Sequence, residues 1–170
     1  LLDGKTPKTA EKLKILDPAC GSGSFLLGAY QHLLDWHLKW YSENTPEKHA
    51  RAKKPILFKG RDDAWHLTTA ERKRILLNSI YGVDIDFQAV EVTKLSLLLK
   101  VLEGETGETL NYQFKLFHER ALPDLGGNIK CGNSLIGPDF YDGKQTSLLD
   151  TEEIQRVNAF DWQAEFPDIF

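Results

Sequence analysis

Leu13-Lys14-Ile15-Leu16-Asp17 is a short apolar run that Pro18 stops, because proline has no N–H to offer a neighbouring strand. Gly21-Ser22-Gly23 follows as a glycine turn. From Ser24 to about Tyr41, apolar residues return at Phe25, Leu26, Ala29, Tyr30, Leu33, Leu34 and Leu38, in steps of three and four that draw one helix face. Strand, glycine turn and helix in that order are the opening half of an α/β unit. They commit the chain to a sheet with helices packed against it.

The rest of the chain continues the pattern. Thr68-Thr69-Ala70-Glu71 fits a capping box, with Thr68 as N-cap and Glu71 at N3, and opens a helix to about Asn78. Ser79–Asp84 reads as a second strand. Asp86 caps a helix from Phe87 to about Leu102 that Gly104 stops. Asn128–Cys131 reads as a third strand, and residues 151–158 as a short helix. Leu110–Leu116 alternates only loosely, and the last ten residues are rich in aromatics. Residues 1–12 read as a frayed lead-in. Residues 43–66 read as a long loop with a short strand at Ile56-Leu57-Phe58, since prolines, glycine and mixed charge leave no period there. The expected fold is α/β, an open, mostly parallel sheet with flanking helices. Its parts are a first strand–helix unit (13–42), an insertion (43–74), a second strand–helix unit (75–104) and a third strand with its flanking segments (105–170).

Length and charge narrow the function. At 170 residues the chain is about one domain. Its net charge of −4 argues against a self-sufficient nucleic-acid binder, whose affinity would rest on Lys and Arg. The insertion is the exception: residues 43–74 hold nine cations against five anions, which leaves −8 elsewhere. Two readings stand, a solvated face or a patch that touches phosphates through Lys53, Lys54 and Arg61. Two cysteines without a C-x-x-C, no apolar stretch of membrane length and no basic-then-apolar leader point to a reducing compartment, the cytoplasm, and away from membranes. The five histidines show no metal-ligand spacing, so no metal is expected. No Met occurs anywhere, which marks an internal piece of a longer protein.

Chemistry should gather where the three strands end, because open α/β sheets bind ligands beyond the carboxyl ends of their strands. The glycine turn carries no Lys-Ser/Thr, which excludes a P-loop, and Leu26 stands where a dinucleotide fingerprint needs its third glycine. Asp17 would repel a phosphate but attract an ammonium. Asp84 ends the second strand, where a carboxylate can accept hydrogen bonds from ribose hydroxyls. Gly21 and Asp84 are 63 residues apart, against the ~20 of a compact unit, so the insertion must lie between them. After the third strand, Lys130-Cys131-Gly132-Asn133-Ser134 is a turn, and Asn133 can accept through its side-chain oxygen. Cys20 and Cys131 end strands separated by another strand, beyond a disulfide's reach, and are expected as free thiols.

Asp17-Pro18-Ala19-Cys20-Gly21-Ser22-Gly23-Ser24-Phe25-Leu26 resembles motif I of the N6-adenine DNA methyltransferases, of gamma-type motif order, in restriction–modification and phage-defence systems. The resemblance implies a Rossmann-like class I methyltransferase domain, in part. It implies that Asp17, Ala19, Cys20, Gly21, Gly23 and Phe25 hold the methionine portion of S-adenosylmethionine. Asp84-Ile85-Asp86 is similar to motif II, which implies ribose on Asp84 and adenine packed on Ile85, with Asp86 a helix cap. Lys130–Gly137 is similar to motif III, which implies that Asn133 meets the adenine amino group. The family's acceptor segment, Asn/Asp-Pro-Pro-aromatic, clamps a flipped adenine. Neither Asn-Pro-Pro nor Asp-Pro-Pro occurs in the 170 residues, so no catalytic residue is assigned and the piece alone is expected to be inactive. The partner implied is DNA, beside a specificity or nuclease component. A methyltransferase acting on RNA and a non-catalytic nucleoside-binding module remain the alternatives, while the motif I string counts against protein or small-molecule acceptors.

Overall fold

The computed structural model describes residues 1–60, 62–103, 122–142, 154 and 156–170. In chain order its elements are α1 (Pro7–Ala10), β1 (Ile15–Asp17), α2 (Ser24–Glu43), α3 (Pro46–Ala50), β2 (Leu57–Lys59), β3 (Trp65–Leu67), α4 (Thr69–Ser79), β4 (Ile80–Asp84), α5 (Phe87–Leu102), β5 (Ile129–Cys131), a 3-10 turn over Pro138–Tyr141, and α6 (Trp162–Glu165). β1, β4 and β5 lie side by side in that order as a parallel sheet, with Asp17 beside Gly82 and Asp84 beside Cys131. The fold is therefore α/β with a three-stranded parallel sheet and helices against it.

Side chains alternate across each strand with a period of two. Ile15, Ile80 and Ile129 join the core made by α2, α4 and α5, where Leu26, Tyr30, Leu33, Ile75, Leu76, Leu97 and Val101 are buried. Leu16, Tyr81 and Val83 point the other way, onto Phe160, Trp162, Phe166 and Ile169. Both faces are thus covered, as a parallel sheet requires. The aromatic run near the C-terminus is the cover of the second face.

Local chemistry explains the helix starts. Asp86 Oδ1 accepts the Gln88 N–H at 2.8 Å and caps α5, and Thr68 Oγ1 accepts the Glu71 N–H at 3.3 Å and caps α4. The reciprocal arm of the expected capping box does not form. The Thr68 N–H donates to the Ile56 carbonyl (2.9 Å) instead. Glu71 is buried against Arg74, with oxygens 2.6 and 2.8 Å from the guanidinium, and it accepts from the Tyr41 hydroxyl at 3.2 Å. A buried carboxylate gains more from a bidentate arginine than from one backbone N–H.

Two segments read as irregular are ordered. Thr6 caps α1 with Pro7 at its first position, and Leu2 and Ala10 are buried, so residues 1–12 are a packed entry. Within 43–66, α3 precedes an antiparallel hairpin of β2 and β3 that pairs Leu57 with Leu67 and Lys59 with Trp65. Leu57 and Leu67 bury themselves in the α2 core, which anchors the insertion. Arg61, Gly104, Leu110–Leu116, residues 151–153 and Gln155 lie outside the described residues, while Ile154, Arg156 and Val157 are helical, within the short helix expected over 151–158. Among the described residues no helix is long and apolar enough to cross a membrane.

Candidate functional site

β1 ends at Asp17, whose Oδ1 accepts the Ala19 N–H at 3.1 Å in a tight side-chain turn. The chain then steps across to β4. The Cys20 N–H donates to the Val83 carbonyl (2.9 Å), and the Gly21 N–H to Asp84 Oδ2 (2.7 Å). Gly21 and Gly23 have φ of +52° and +81°, a left-handed backbone that glycine alone adopts freely. Gly23 has a second reason to be glycine. A Cβ there would stand 2.7 Å from Cγ2 of Thr93.

Thr93 is a residue that sequence reasoning missed. It is fully buried on α5, and its hydroxyl donates to the Gly21 carbonyl at 2.8 Å, tying the turn to the helix after β4. Its one signal was position, a hydroxyl on the same helix stripe as Val90, Leu97 and Val101.

Asp84 is the centre of the arrangement. Its Oδ2 takes the Gly21 N–H, its Oδ1 takes the Asp86 N–H at 2.9 Å, and its backbone carbonyl takes the Gly132 N–H at 2.9 Å. One residue thereby fixes the turns after all three strands. An ionised carboxylate has roughly four lone-pair positions, so two acceptor directions remain for incoming hydroxyls. The neighbouring Cys20 thiol is buried and pushed up to about 11, first by burial and then by the negative charges of Asp84 and Asp17. Such a site suits a cation or a hydroxyl and disfavours a phosphate.

Apolar surface lies beside these acids. Phe25, at the start of α2, is 61% exposed, and Ile85, directly after Asp84, is 54% exposed. Asn133 lies just beyond β5, with its Oδ1 accepting the Leu135 N–H at 3.2 Å. The structure therefore brings Asp17, Ala19, Cys20, Gly21, Gly23 and Phe25 to the same carboxyl end of the sheet as Asp84, Ile85 and Asn133. Cys20, in the turn after β1, and Cys131, the last residue of β5, are free thiols, and β4 lies between those two strands.

Other candidates fall elsewhere. His37 is buried, with Nδ1 2.8 Å from the Leu33 carbonyl, and His66 lies 3.1 Å from Asp62. Among the described residues no group of three His, Cys, Asp or Glu could hold a metal. Lys53 and Lys54 are exposed between α3 and β2. α2 runs 20 residues away from the glycine turn before α3 begins, roughly 30 Å of helix, so these lysines stand far from the strand ends.

A glycine turn latched by a carboxylate, at the carboxyl end of a parallel α/β sheet, agrees with the comparisons to known proteins, which place the chain in the class of DNA-methyltransferase domains. Residues 5–140 match the model of the family described as MmeI, DNA-methyltransferase domain, and the chain belongs to that family. It is 34% identical over 158 residues to the type II restriction enzyme and methyltransferase RM.Eco57I of Escherichia coli, an alignment covering 93% of this chain and 14% of that protein. A putative type II restriction enzyme and methyltransferase of Methanocaldococcus jannaschii is 38% identical over 138 residues, covering 81% of this chain and 10% of its own length. The adenine-specific methyltransferase PglX of Streptomyces coelicolor is 32% identical over 155 residues, or 91% and 10%. The chain thus spans between 10% and 14% of the length of these relatives.

Proposed function

We propose that this chain is the S-adenosylmethionine-binding half of an N6-adenine DNA methyltransferase domain, Rossmann-like and of class I, in a restriction–modification or phage-defence protein of the cytoplasm. The observation that carries this is Asp84, fastened to the glycine turn by one oxygen, with acceptor directions free and the exposed face of Ile85 beside it. Family membership and the functions that the relatives are named for support it.

The residues fit the cofactor chemically. When bound, S-adenosylmethionine supplies a methyl group activated by a sulfonium. Asp17 and Asp84 set a negative field suited to that cation and to the amino-acid ammonium. Ala19, Cys20, Gly21 and Gly23 form a backbone that a ligand can approach closely, with Phe25 beside it. Asp84 accepts from ribose hydroxyls, Ile85 offers an apolar floor to adenine, and Asn133 Oδ1 accepts from the adenine amino group. The acceptor adenine, its clamp and any nuclease or specificity component are assigned to the longer protein.

The test uses the full-length protein with methyl-labelled S-adenosylmethionine, duplex DNA and RNA, each nucleic acid containing every base. The expected product is N6-methyladenine, and the 170-residue piece alone yields none. Label found in cytosine, label confined to RNA, or cofactor binding without transfer to any nucleic acid would each overturn the reading.

A further inference from the structure

Asn133 is the adenine-facing residue of the proposed site, yet its own strand holds it weakly. β5 has three residues and ends at Cys131; the Gly132 N–H still reaches the Asp84 carbonyl, but Asn133–Ile136 has no backbone hydrogen bond to β4 among the described residues. The hold on that loop comes from residues 158–162. The Asn133 N–H donates to the Asn158 carbonyl at 2.7 Å, and the Phe160 N–H donates to the Ile136 carbonyl at 2.8 Å, with a parallel bridge between Asn133 and Ala159. The indole Nε1 of Trp162 donates to the Ser134 carbonyl at 3.2 Å. Phe160, 4% exposed, lies so close beneath Gly132 that a Cβ there would stand 2.3 Å from its ring.

Asn158 bends the chain into this position. Its φ is +45°, a left-handed conformation that asparagine tolerates better than other residues with a Cβ, and its side-chain amide lies 3.6 Å from Cys131 Sγ. The loop is thus gripped at Gly132, Asn133, Ser134 and Ile136 from one short stretch far along the chain. The grip has a chemical consequence. Asn133 Oδ1 already accepts from the Leu135 N–H, so its amide cannot turn over without losing that bond. The second lone pair of that carbonyl oxygen takes a donor such as a 6-amino group and finds no partner in a 6-oxo group.

We propose that Asn158 and Trp162 are positioning residues that hold Asn133 in the orientation that selects adenine over a 6-oxopurine in the cofactor. The proposal rests on the cofactor reading given above. Neither residue is assigned a contact with the ligand. Both act through the backbone of the Asn133 loop, one on its first turn and the other on the carbonyl next to it.

The experiment measures, by calorimetry on the full-length protein, the affinity of S-adenosylhomocysteine and of its inosine analogue, which differ at the 6-position of the purine. It is run on wild type, Trp162→Phe and Asn158→Val. Phenylalanine keeps the packing and loses the indole donor. Valine, branched at Cβ, resists the left-handed backbone that carries the Asn158 carbonyl to the Asn133 N–H. One neutral hydrogen bond is worth about three- to tenfold in affinity, so wild type should prefer the adenine ligand by that factor. In both variants the preference should fall to within about twofold, with the inosine ligand bound as in wild type. Preference intact in both variants, or equal weakening of the two ligands, overturns the proposal, since equal loss is what general loosening of the fold gives. Failure of wild type to bind either ligand would instead overturn the cofactor reading, and the positioning role with it.

Discussion

Replacing Asp84 by alanine should produce two separable losses. Without ligand, the Gly21 and Asp86 N–H groups lose a shared charged acceptor, at 2.7 and 2.9 Å. A hydrogen bond to a charged group contributes about 1.5–3 kcal/mol net, and water reaches this half-buried site and replaces part of it. The sum expected is therefore about 2–3 kcal/mol of apo stability, read as a lower urea midpoint with an unchanged slope. With ligand, the ribose loses its acceptor as well, which should weaken S-adenosylhomocysteine by a further 1.5–3 kcal/mol, roughly ten- to 150-fold, in calorimetry on the full-length protein. Asp84→Asn separates the two effects. Its single carbonyl can satisfy one backbone N–H, while its NH2 faces the other, so it should recover part of the stability and little of the affinity. Unchanged binding in Asp84→Ala despite lost stability would leave Asp84 as a latch with no ribose role. An unchanged urea midpoint would refute the latch.

Three further outcomes are expected. Buried Cys20, its thiol pushed up to about 11, should resist iodoacetamide at neutral pH while the partly exposed Cys131 is alkylated, as mass spectrometry of the native protein would show; comparable labelling of both would contradict the packed turn. Burial holds His37 below its ordinary 6.5, so its contribution to stability is complete above that value and declines as pH falls below it, because the unfolded chain takes up the proton more readily. His37→Leu should therefore flatten the fall in urea midpoint between about pH 7 and pH 5, and an equal fall in both proteins would rule this out. Lys53, Lys54 and Arg61 are proposed to touch the phosphates of flanking duplex, so their triple alanine variant should lower the salt slope of DNA binding by ~0.9 for each phosphate no longer neutralised, equally with and without a recognition site. An unchanged slope would make the insertion a solvated face.

The elements that position the site could be read from the sequence because each carries a strong local signal. Leu13–Asp17 has an apolar run and a proline stop. α2 and α5 have helical periodicity, and α5 has Asp86 as its cap, which the structure shows in contact with Gln88. One arm of the hairpin was legible, since the strand expected at Ile56-Leu57-Phe58 overlaps β2, but its pairing with β3 was not: Trp65–Leu67 is too short to show alternation, and Gly60–Ala64 lacks the Asn-Gly or Asp-Gly of a tight turn. α1 is only four residues long, and its sole marker was Thr6 followed by Pro7. In the site, residue types pointed to Asp17, Asp84 and Asn133. The sequence did not show that Asp84 also latches the turn, or that Thr93 and residues 158–162 hold the loops. Those interactions join residues dozens of positions apart, and a single sequence carries no local trace of them.

The cover on the second face of the sheet bears on how the protein is made. A nascent chain emerges N-terminus first, and α1 to α5 complete the helical face while Phe160 and Phe166 are still unsynthesised. Until they arrive, Leu16, Tyr81 and Val83 present an uncovered apolar surface on strands already able to pair. Intermediates of that kind aggregate readily. A ribosome stalled before residue 158 should therefore display a product that chaperones retain, and release from them should coincide with emergence of the aromatic cover, the same stretch that grips the Asn133 loop.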